Sequence, residues 1–159
     1  MSETMMTVAF AKALGVKPTA VKYWTDKDAL RCLPGTKGAG QGNKRLYSAD
    51  YLPEAAIIAE IAKYRIPIKY LAHWSKEIEK LLAHGEEKRF KHRKSAEWYR
   101  GALAGERESH IIFMIPRQIG GEIGETFGWH EPEMLAKALR VSQSAITVNV
   151  GAVVQRFKP

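Results

Sequence analysis

The feature that most restricts how this chain folds is a glycine between two short amphipathic segments near the N-terminus. Residues 9–14 have helical spacing, with Phe10 and Leu14 on one side. Gly15 follows where a helix end requires left-handed backbone, which glycine adopts without a steric penalty. Pro18 stands where a second helix can begin, because a proline in the first turn sacrifices no hydrogen bond. We therefore predict two short helices joined by a tight turn.

The second predicted helix divides its side chains between core and solvent. Its inward positions are apolar: Ala20, Val21 and Trp24. Its outward positions carry cationic or hydroxyl-bearing side chains: Lys17, Thr19, Lys22 and Tyr23. A second helix of this kind is what a helix-turn-helix unit inserts into the major groove of DNA. The same pattern also fits two helices that merely pack together, so by itself it does not establish DNA binding.

A glycine-rich segment, "LPGTKGAGQGNKRLYS" at residues 33–48, follows the two helices. Its four glycines are typical of a flexible hairpin tip, and its far limb carries Lys44, Arg45 and Tyr47. A basic hairpin behind a helix-turn-helix is typical of a wing, which contacts backbone phosphates beside the groove. A nucleotide phosphate loop is a poorer interpretation, since no Gly-Lys-Ser/Thr follows the glycines and no buried strand precedes them.

Two further helices are predicted behind this hairpin. Ser48 is an N-cap residue, and Asp50 lies in the first turn of an apolar helix that runs to Ala62. Pro67 opens a fourth helix with apolar residues on one stripe. We expect both helices to support the second helix and the hairpin.

The charge of the chain favours a polyanionic partner. It has 25 Lys+Arg and 17 Asp+Glu, a net charge of +8 and a pI near 9.6. Residues 1–75 hold 11 Lys+Arg and 6 Asp+Glu (+5), residues 76–108 hold 9 and 7 (+2), and residues 109–159 hold 5 and 4 (+1). Most of the excess lies in the first half, where a phosphate-binding surface is expected.

Several classes of protein are disfavoured by the sequence. Cys32 is the single cysteine, which excludes an internal disulfide and a multi-thiolate metal site. No apolar run reaches the roughly 18 residues of a spanning helix, and no signal-peptide core is present, so we expect a cytoplasmic protein with no membrane partner. No catalytic motif and no His-x3-His pair is present, so we expect no enzymatic activity, no cofactor and no metal.

Four stretches carry a resemblance to a known family: "AKALGV" (residues 11–16), "VKYW" (21–24), "KRLYSADYL" (44–52) and "YRIPIKYLAHW" (64–74). In this order and spacing, over about the first 75 residues, they resemble MerR-type transcriptional regulators. The resemblance implies a homodimeric winged helix-turn-helix protein on double-stranded DNA, with RNA polymerase as a further contact. It also implies that Lys22 faces the groove and that Tyr23 and Trp24 take the positions of a family tyrosine pair. Arg45 and Tyr47 take the family's wing positions.

The chain also departs from that family. Lys22 replaces an arginine, which loses the bidentate fork that reads guanine, and Trp24 lacks the tyrosine hydroxyl. The long glycine-rich wing resembles that of phage terminase small subunits, which use a winged module in DNA packaging. Two alternatives to a sequence-specific regulator therefore stay open: a DNA-packaging protein, and a protein-interaction adaptor that keeps the fold without binding DNA.

The predicted fold class is α+β, with the winged helix-turn-helix in residues 1–75, a charged helical connector in 76–108 and a small α/β module in 109–159. The connector has too few apolar residues for a long coiled coil, so a short dimer contact shared with the C-terminal region is expected. The C-terminal module is expected to serve dimerisation or effector binding. The sequence does not identify an effector.

The C-terminal module is predicted to contain a buried strand at "HIIFMI" (110–115), a glycine-rich loop at 117–129 and a helix at 131–139. The next segment has two interpretations. "AKALRVSQSAI" (136–146) resembles the helix-turn-helix of small phage repressors, but Arg140 stands in place of the turn glycine. "AITVNV" alternates and is β-branched, and Asn149 is well placed to cap a last short helix. We favour a strand over residues 146–148, paired beside "HIIFMI", and then a helix.

Overall fold

The computed structural model describes residues 3–37, 44–84, 101, 110–114, 117–119, 122–124, 127–130 and 145–157. Within them helices and strands are mixed, so the fold class is broadly α+β, as predicted. The chain divides into two compact units, Met1–Ala83 and His84–Pro159. None of the helices described is both long and apolar enough to cross a membrane.

The first part of the chain forms, in order, β1 (Thr4–Met6), α1 (Thr7–Leu14), α2 (Pro18–Asp26), β2 (Leu46–Ser48), a 3-10 turn (Ala49–Tyr51), α3 (Leu52–Ala62) and α4 (Ile68–His84). The four helices lie close to where the sequence predicts them, but two of them begin elsewhere. α1 begins at Thr7 rather than at residue 9, and α3 begins at Leu52, so Ser48, the predicted N-cap of the third helix, caps the 3-10 turn instead. α4 continues through residue 75, the predicted end of the first domain, to His84.

The turn between α1 and α2 has the predicted glycine geometry. Gly15 has a φ of 70°, in the left-handed region. Its N–H donates to Lys12 O at 3.1 Å, and the next N–H, of Val16, donates to Ala11 O at 3.0 Å. This pair of bonds is a Schellman motif, which satisfies carbonyls that the helix end leaves open. Pro18 then occupies the first turn of α2, so both helix boundaries follow from local chemistry.

Three aromatic rings form the centre of the core in the first unit. The Phe10 ring lies 4.4 Å from the Tyr47 ring, with 13° between their planes, and 6.1 Å from the Tyr51 ring. α3 is buried over almost its whole length, and Trp74 of α4 is fully buried. The stack therefore joins α1, β2 and the 3-10 turn into one apolar centre.

The segment between α2 and β2 is closed at its base by hydrogen bonds. Leu33 N donates to Leu46 O at 2.7 Å, and Leu46 N donates to Thr36 Oγ1 at 3.3 Å. β2 also pairs antiparallel with β1, with Met5 opposite Tyr47. The two limbs of the predicted hairpin therefore come together. Its tip, residues 38–43, lies outside the described residues.

The second unit contains β3 (His110–Met114), β4 (Arg117–Ile119), β5 (Glu122–Gly124), β6 (Phe127–His130), β7 (Ala145–Asn149) and α5 (Val150–Gln155). β3 is central in an antiparallel sheet of order β6-β3-β7, and β4 pairs with β5 in a separate hairpin. The predicted strand over residues 146–148 is confirmed, with Thr147 opposite Ile112. A second recognition helix at this place is therefore excluded. The predicted cap is also confirmed, since Asn149 Oδ1 accepts from Ala152 N at 3.0 Å.

The prediction of a loop over residues 117–129 is wrong, because β4, β5 and most of β6 occupy this stretch. Its glycines lower the intrinsic strand preference, but pairing with a neighbouring strand satisfies the backbone whatever the side chain. Gly128 lies opposite Ile112, and Gly124 lies opposite Arg117. The predicted helix at 131–139 and most of the connector lie outside the described residues.

Candidate functional site

The outer face of α2 gathers the four side chains that the sequence assigns to a DNA groove. Lys17 precedes the first turn as N-cap residue. Thr19, Lys22 and Tyr23 follow at positions i, i+3 and i+4, which share one face of a helix. All four are exposed. The opposite face is anchored in the core by Val21 and Thr25, both 0% exposed. The fold therefore brings these four predicted site residues together on α2 and its N-cap.

A groove of about 720 Å³ runs beside this face, between α2 and the C-terminal part of α3. Ala20 and Trp24 of α2 line it together with Ala59 of α3, and Lys17 and Thr19 also border it. Trp24 is half-buried. Its ring therefore belongs to the apolar seam between the two helices rather than to the polar face, which explains a tryptophan at this position.

The two cations expected on the wing have different surroundings. Lys44 is exposed. The Arg45 side chain is only 16% exposed, and its guanidinium is turned onto α2. Nη2 donates to Asp26 Oδ1 at 2.6 Å, and Nη1 donates to the carbonyl oxygen of Lys22 at 3.0 Å. Both terminal nitrogens of the Arg45 guanidinium therefore donate to α2. Of these two cations, Lys44 is the one that is exposed to solvent.

The expectation that Tyr47 contacts the DNA backbone is contradicted by its burial. Tyr47 is 0% exposed, its ring stacks on Phe10, and its hydroxyl lies 3.0 Å from Thr25 Oγ1. The Thr25 hydroxyl already donates to Val21 O at 2.8 Å, so the Tyr47 hydroxyl is the donor of the pair. Side chains alternate along a strand, and Tyr47 falls on the inward side of β2. It holds α2 in place and is closed off from phosphate.

Two acidic residues at the end of α2 were not anticipated from the sequence. Asp26 holds Arg45, and Asp28 forms an ion pair with Lys37 on the other limb of the hairpin. The hydrogen bond from Lys37 lowers the pKa of the Asp28 carboxyl, against a small opposing effect of burial. Asp28 also has a positive φ of 58°, where the chain reverses after the helix. The sequence feature that could have indicated these contacts is "TDKD" (residues 25–28), which places two acidic residues in an otherwise basic region.

A second ionic cluster, also missed, fixes the start of the hairpin segment to the supporting helices. Arg31 donates to Glu54 Oε2 of α3 at 3.0 Å and to Glu79 of α4. Its guanidinium lies 4.7 Å from the centre of the Tyr51 ring. Glu54 is 5% exposed, and its Oε1 has no hydrogen-bond partner within the part of the chain that the structure describes. Burial raises the pKa of Glu54 to about 7; the positive charge of Arg31 opposes this rise and the negative charge of Glu79 adds to it.

No metal-binding cluster of three or more His, Cys, Asp or Glu side chains occurs among the described residues. Cys32 is a free, half-buried thiol. It borders a cleft of about 440 Å³ that also includes Arg31, Ser75 and Glu79.

Comparison with known proteins identifies no family for this chain. No protein-family model matches it, and no curated protein matches it significantly. Its interpretation therefore rests on its own residues and their geometry.

Proposed function

We propose that this chain is a sequence-specific transcriptional regulator that binds double-stranded DNA as a homodimer through a winged helix-turn-helix. α1 and α2 form the helix-turn-helix, α2 is its recognition helix, and residues 33–48 form the wing. Support comes chiefly from the exposed face of α2, where two lysines, a threonine and a tyrosine stand together on a helix whose other face is buried. A surface helix with these donors fits the width of a major groove.

The charge of the first unit is consistent with a polyanionic ligand. Residues 1–83 hold 13 Lys+Arg and 8 Asp+Glu, a net charge of +5. Lys17, Lys22 and Lys44 are exposed cations on the recognition helix and the wing. With Lys22 assigned to a base edge, Lys17 and Lys44 would make two phosphate contacts per protomer and four per homodimer, so log Kobs should have a slope of about −3.6 against log salt, at about 0.9 per phosphate.

Base recognition is assigned to Thr19, Lys22 and Tyr23. An ammonium group donates to guanine O6 or N7 without the two-pronged geometry of arginine, so we expect moderate discrimination at that base pair. A threonine hydroxyl donates or accepts and adds a contact that is less selective. Each well-formed base contact contributes about 1–3 kcal/mol of discrimination.

The proposal is tested by selecting bound sequences from a random duplex pool, followed by titration of the selected site. A palindrome with two half-sites supports a dimeric regulator. Binding without an enriched sequence favours a packaging or architectural protein, and the absence of binding to duplex DNA at low salt contradicts both and favours an adaptor.

A matched pair of variants tests the assignment of α2. Lys22→Ala should weaken selection at one base pair in each half-site and change the salt slope little, because Lys22 is assigned to a base edge and not to a phosphate. Lys22→Arg retains the charge, so it should keep the slope while changing base preference at the same position. Equal behaviour of the two variants would count against a groove position for Lys22.

A further inference from the structure

We propose that Asp26 is a positioning residue for the wing: by holding Arg45 against the recognition helix, it sets Lys44 where it meets the DNA backbone. This inference rests on the function proposed above and deepens it. The observation behind it is the pair of bonds from one guanidinium to the Asp26 carboxylate and the Lys22 carbonyl, at 2.6 and 3.0 Å. Arg45 thus bonds to the backbone of Lys22, a residue assigned to the groove.

The geometry requires an arginine at position 45. Its planar fork reaches two acceptors at once, whereas an ammonium group is a point donor on a flexible stem. The two acceptors lie at the middle (Lys22) and the end (Asp26) of α2, so the guanidinium fixes the base of the wing to the helix at two points. Lys44 is next to Arg45 and exposed. Its position relative to α2 therefore depends on how Arg45 is held.

A second ion pair joins the other limb of the wing to the same helix end, but it is the weaker of the two. The side chains of Lys37 and Asp28 are 49% and 61% exposed, and solvent-exposed pairs contribute little. In the Arg45–Asp26 pair, Asp26 is also exposed (53%), but the Arg45 side chain is 16% exposed. Its guanidinium has a second acceptor in the Lys22 carbonyl oxygen, so it is held by two charge-assisted bonds. The Asp26–Arg45 contact is therefore the principal one.

The sign of one substitution separates positioning from simple electrostatics. Asp26→Asn removes a negative charge beside the proposed DNA surface, so a purely electrostatic role predicts tighter binding to a polyanion. A positioning role predicts weaker binding, because Arg45 loses its charged partner and Lys44 is no longer held. Asp50→Asn is the matched control: it removes one exposed negative charge from the 3-10 turn and should leave affinity unchanged or slightly higher.

The experiment measures the affinity of the full chain for a random-sequence duplex as a function of salt. The set comprises the wild type, Lys44→Ala, Asp26→Asn, the double variant, Arg45→Lys and Asp50→Asn. In the wild-type background, Lys44→Ala removes one phosphate contact from each protomer, so it should reduce the salt slope of the homodimer by about 1.8. In the Asp26→Asn background, the same change should have almost no effect. Asp26→Asn alone should weaken binding about 3- to 10-fold, and Arg45→Lys should do so to a smaller extent.

The outcomes distinguish this inference from the function on which it rests. Equal effects of Lys44→Ala in both backgrounds, or tighter binding by Asp26→Asn, would overturn the positioning role while leaving DNA binding intact. If the wild type does not bind duplex DNA, the proposed function fails and the inference fails with it. If circular dichroism shows that Asp26→Asn has lost helix, the same comparison is made in the Arg45→Lys background. This variant keeps the positive charge and loses only the bidentate guanidinium geometry.

Discussion

The buried hydroxyl pair of Tyr47 and Thr25 gives a quantitative test of why Tyr47 lies inside. Tyr47→Phe removes the donor and leaves Thr25 Oγ1 with its remaining bond to Val21 O. The expected loss in the free energy of unfolding is about 1 kcal/mol, the net contribution of a typical buried hydrogen bond. In a unit of this size, 1 kcal/mol corresponds to a decrease in Tm of about 4–8 °C.

Thr25→Val should be more destabilising than Tyr47→Phe. It keeps the shape of the side chain but leaves the Tyr47 hydroxyl buried without an acceptor, at about 1–3 kcal/mol. The double variant replaces both polar groups with apolar ones, so it should lose less stability than the two single variants summed. The difference is the coupling energy of the pair, which we expect to be about 1–2 kcal/mol.

The assay is urea unfolding followed by tryptophan fluorescence and far-UV circular dichroism, with ΔΔG taken from the midpoint at a common slope. The affinity of Tyr47→Phe for random-sequence duplex DNA, measured where the variant is folded, should stay within about twofold of the wild type, because the buried hydroxyl contacts no phosphate. The reasoning is refuted if Tyr47→Phe keeps full stability and weakens this sequence-independent binding instead, as the loss of a phosphate-contacting hydroxyl would do.

Other residues yield predictions that thermal or urea unfolding checks directly. Gly15→Ala should lower the free energy of unfolding by about 1 kcal/mol, because φ at this position is 70° and a residue with a Cβ is strained there. No further loss is expected, since the added Cβ has no atom within 4 Å; a loss above about 3 kcal/mol would indicate a steric clash that the structure does not show. The pKa of Glu54 is raised from 4.5 to about 7, so between these values the folded state binds a proton that the unfolded state has released. Stability should therefore fall as the pH rises from about 5 to 7, by on the order of 2 kcal/mol, and Glu54→Gln should flatten that part of the profile. Asn149→Ala should lower the free energy of unfolding by about 1 kcal/mol, because it removes the side-chain acceptor of Ala152 N. Asn149→Asp keeps an acceptor at this position, so it should retain most of that stability.

The features that were predicted correctly depend on residues close together in the chain. Gly15 ends α1, Pro18 lies in the first turn of α2, and Asn149 caps α5 by accepting from Ala152 N. Caps and turn residues act within one helical turn. For that reason the local sequence was sufficient to locate these helix boundaries.

The features that were missed depend on partners far along the chain. The Arg45–Asp26 contact spans 19 residues, the Tyr47–Thr25 contact 22 and the Arg31–Glu79 contact 48. Whether a tyrosine or arginine on a short strand faces solvent or core is decided by what packs beside it. The same holds for the glycine-rich strands of the second unit. The residues of α2 were sufficient to propose a DNA-facing surface, but the different surroundings of Lys44 and Arg45 could be identified only from the structure.

The hydrogen bond between Tyr47 and Thr25 also limits the rotation of α2 about its own axis. Apolar packing alone tolerates some roll, because dispersion contacts have no preferred direction, whereas a hydroxyl pair is directional. Side-chain tips lie about 5 Å from a helix axis, so a roll of about 20° would move them by roughly 2 Å. That displacement exceeds the tolerance of a hydrogen bond to a base edge. In the proposed complex with DNA, the accuracy with which Thr19 and Lys22 face the groove would therefore be governed in part by Tyr47, a buried residue.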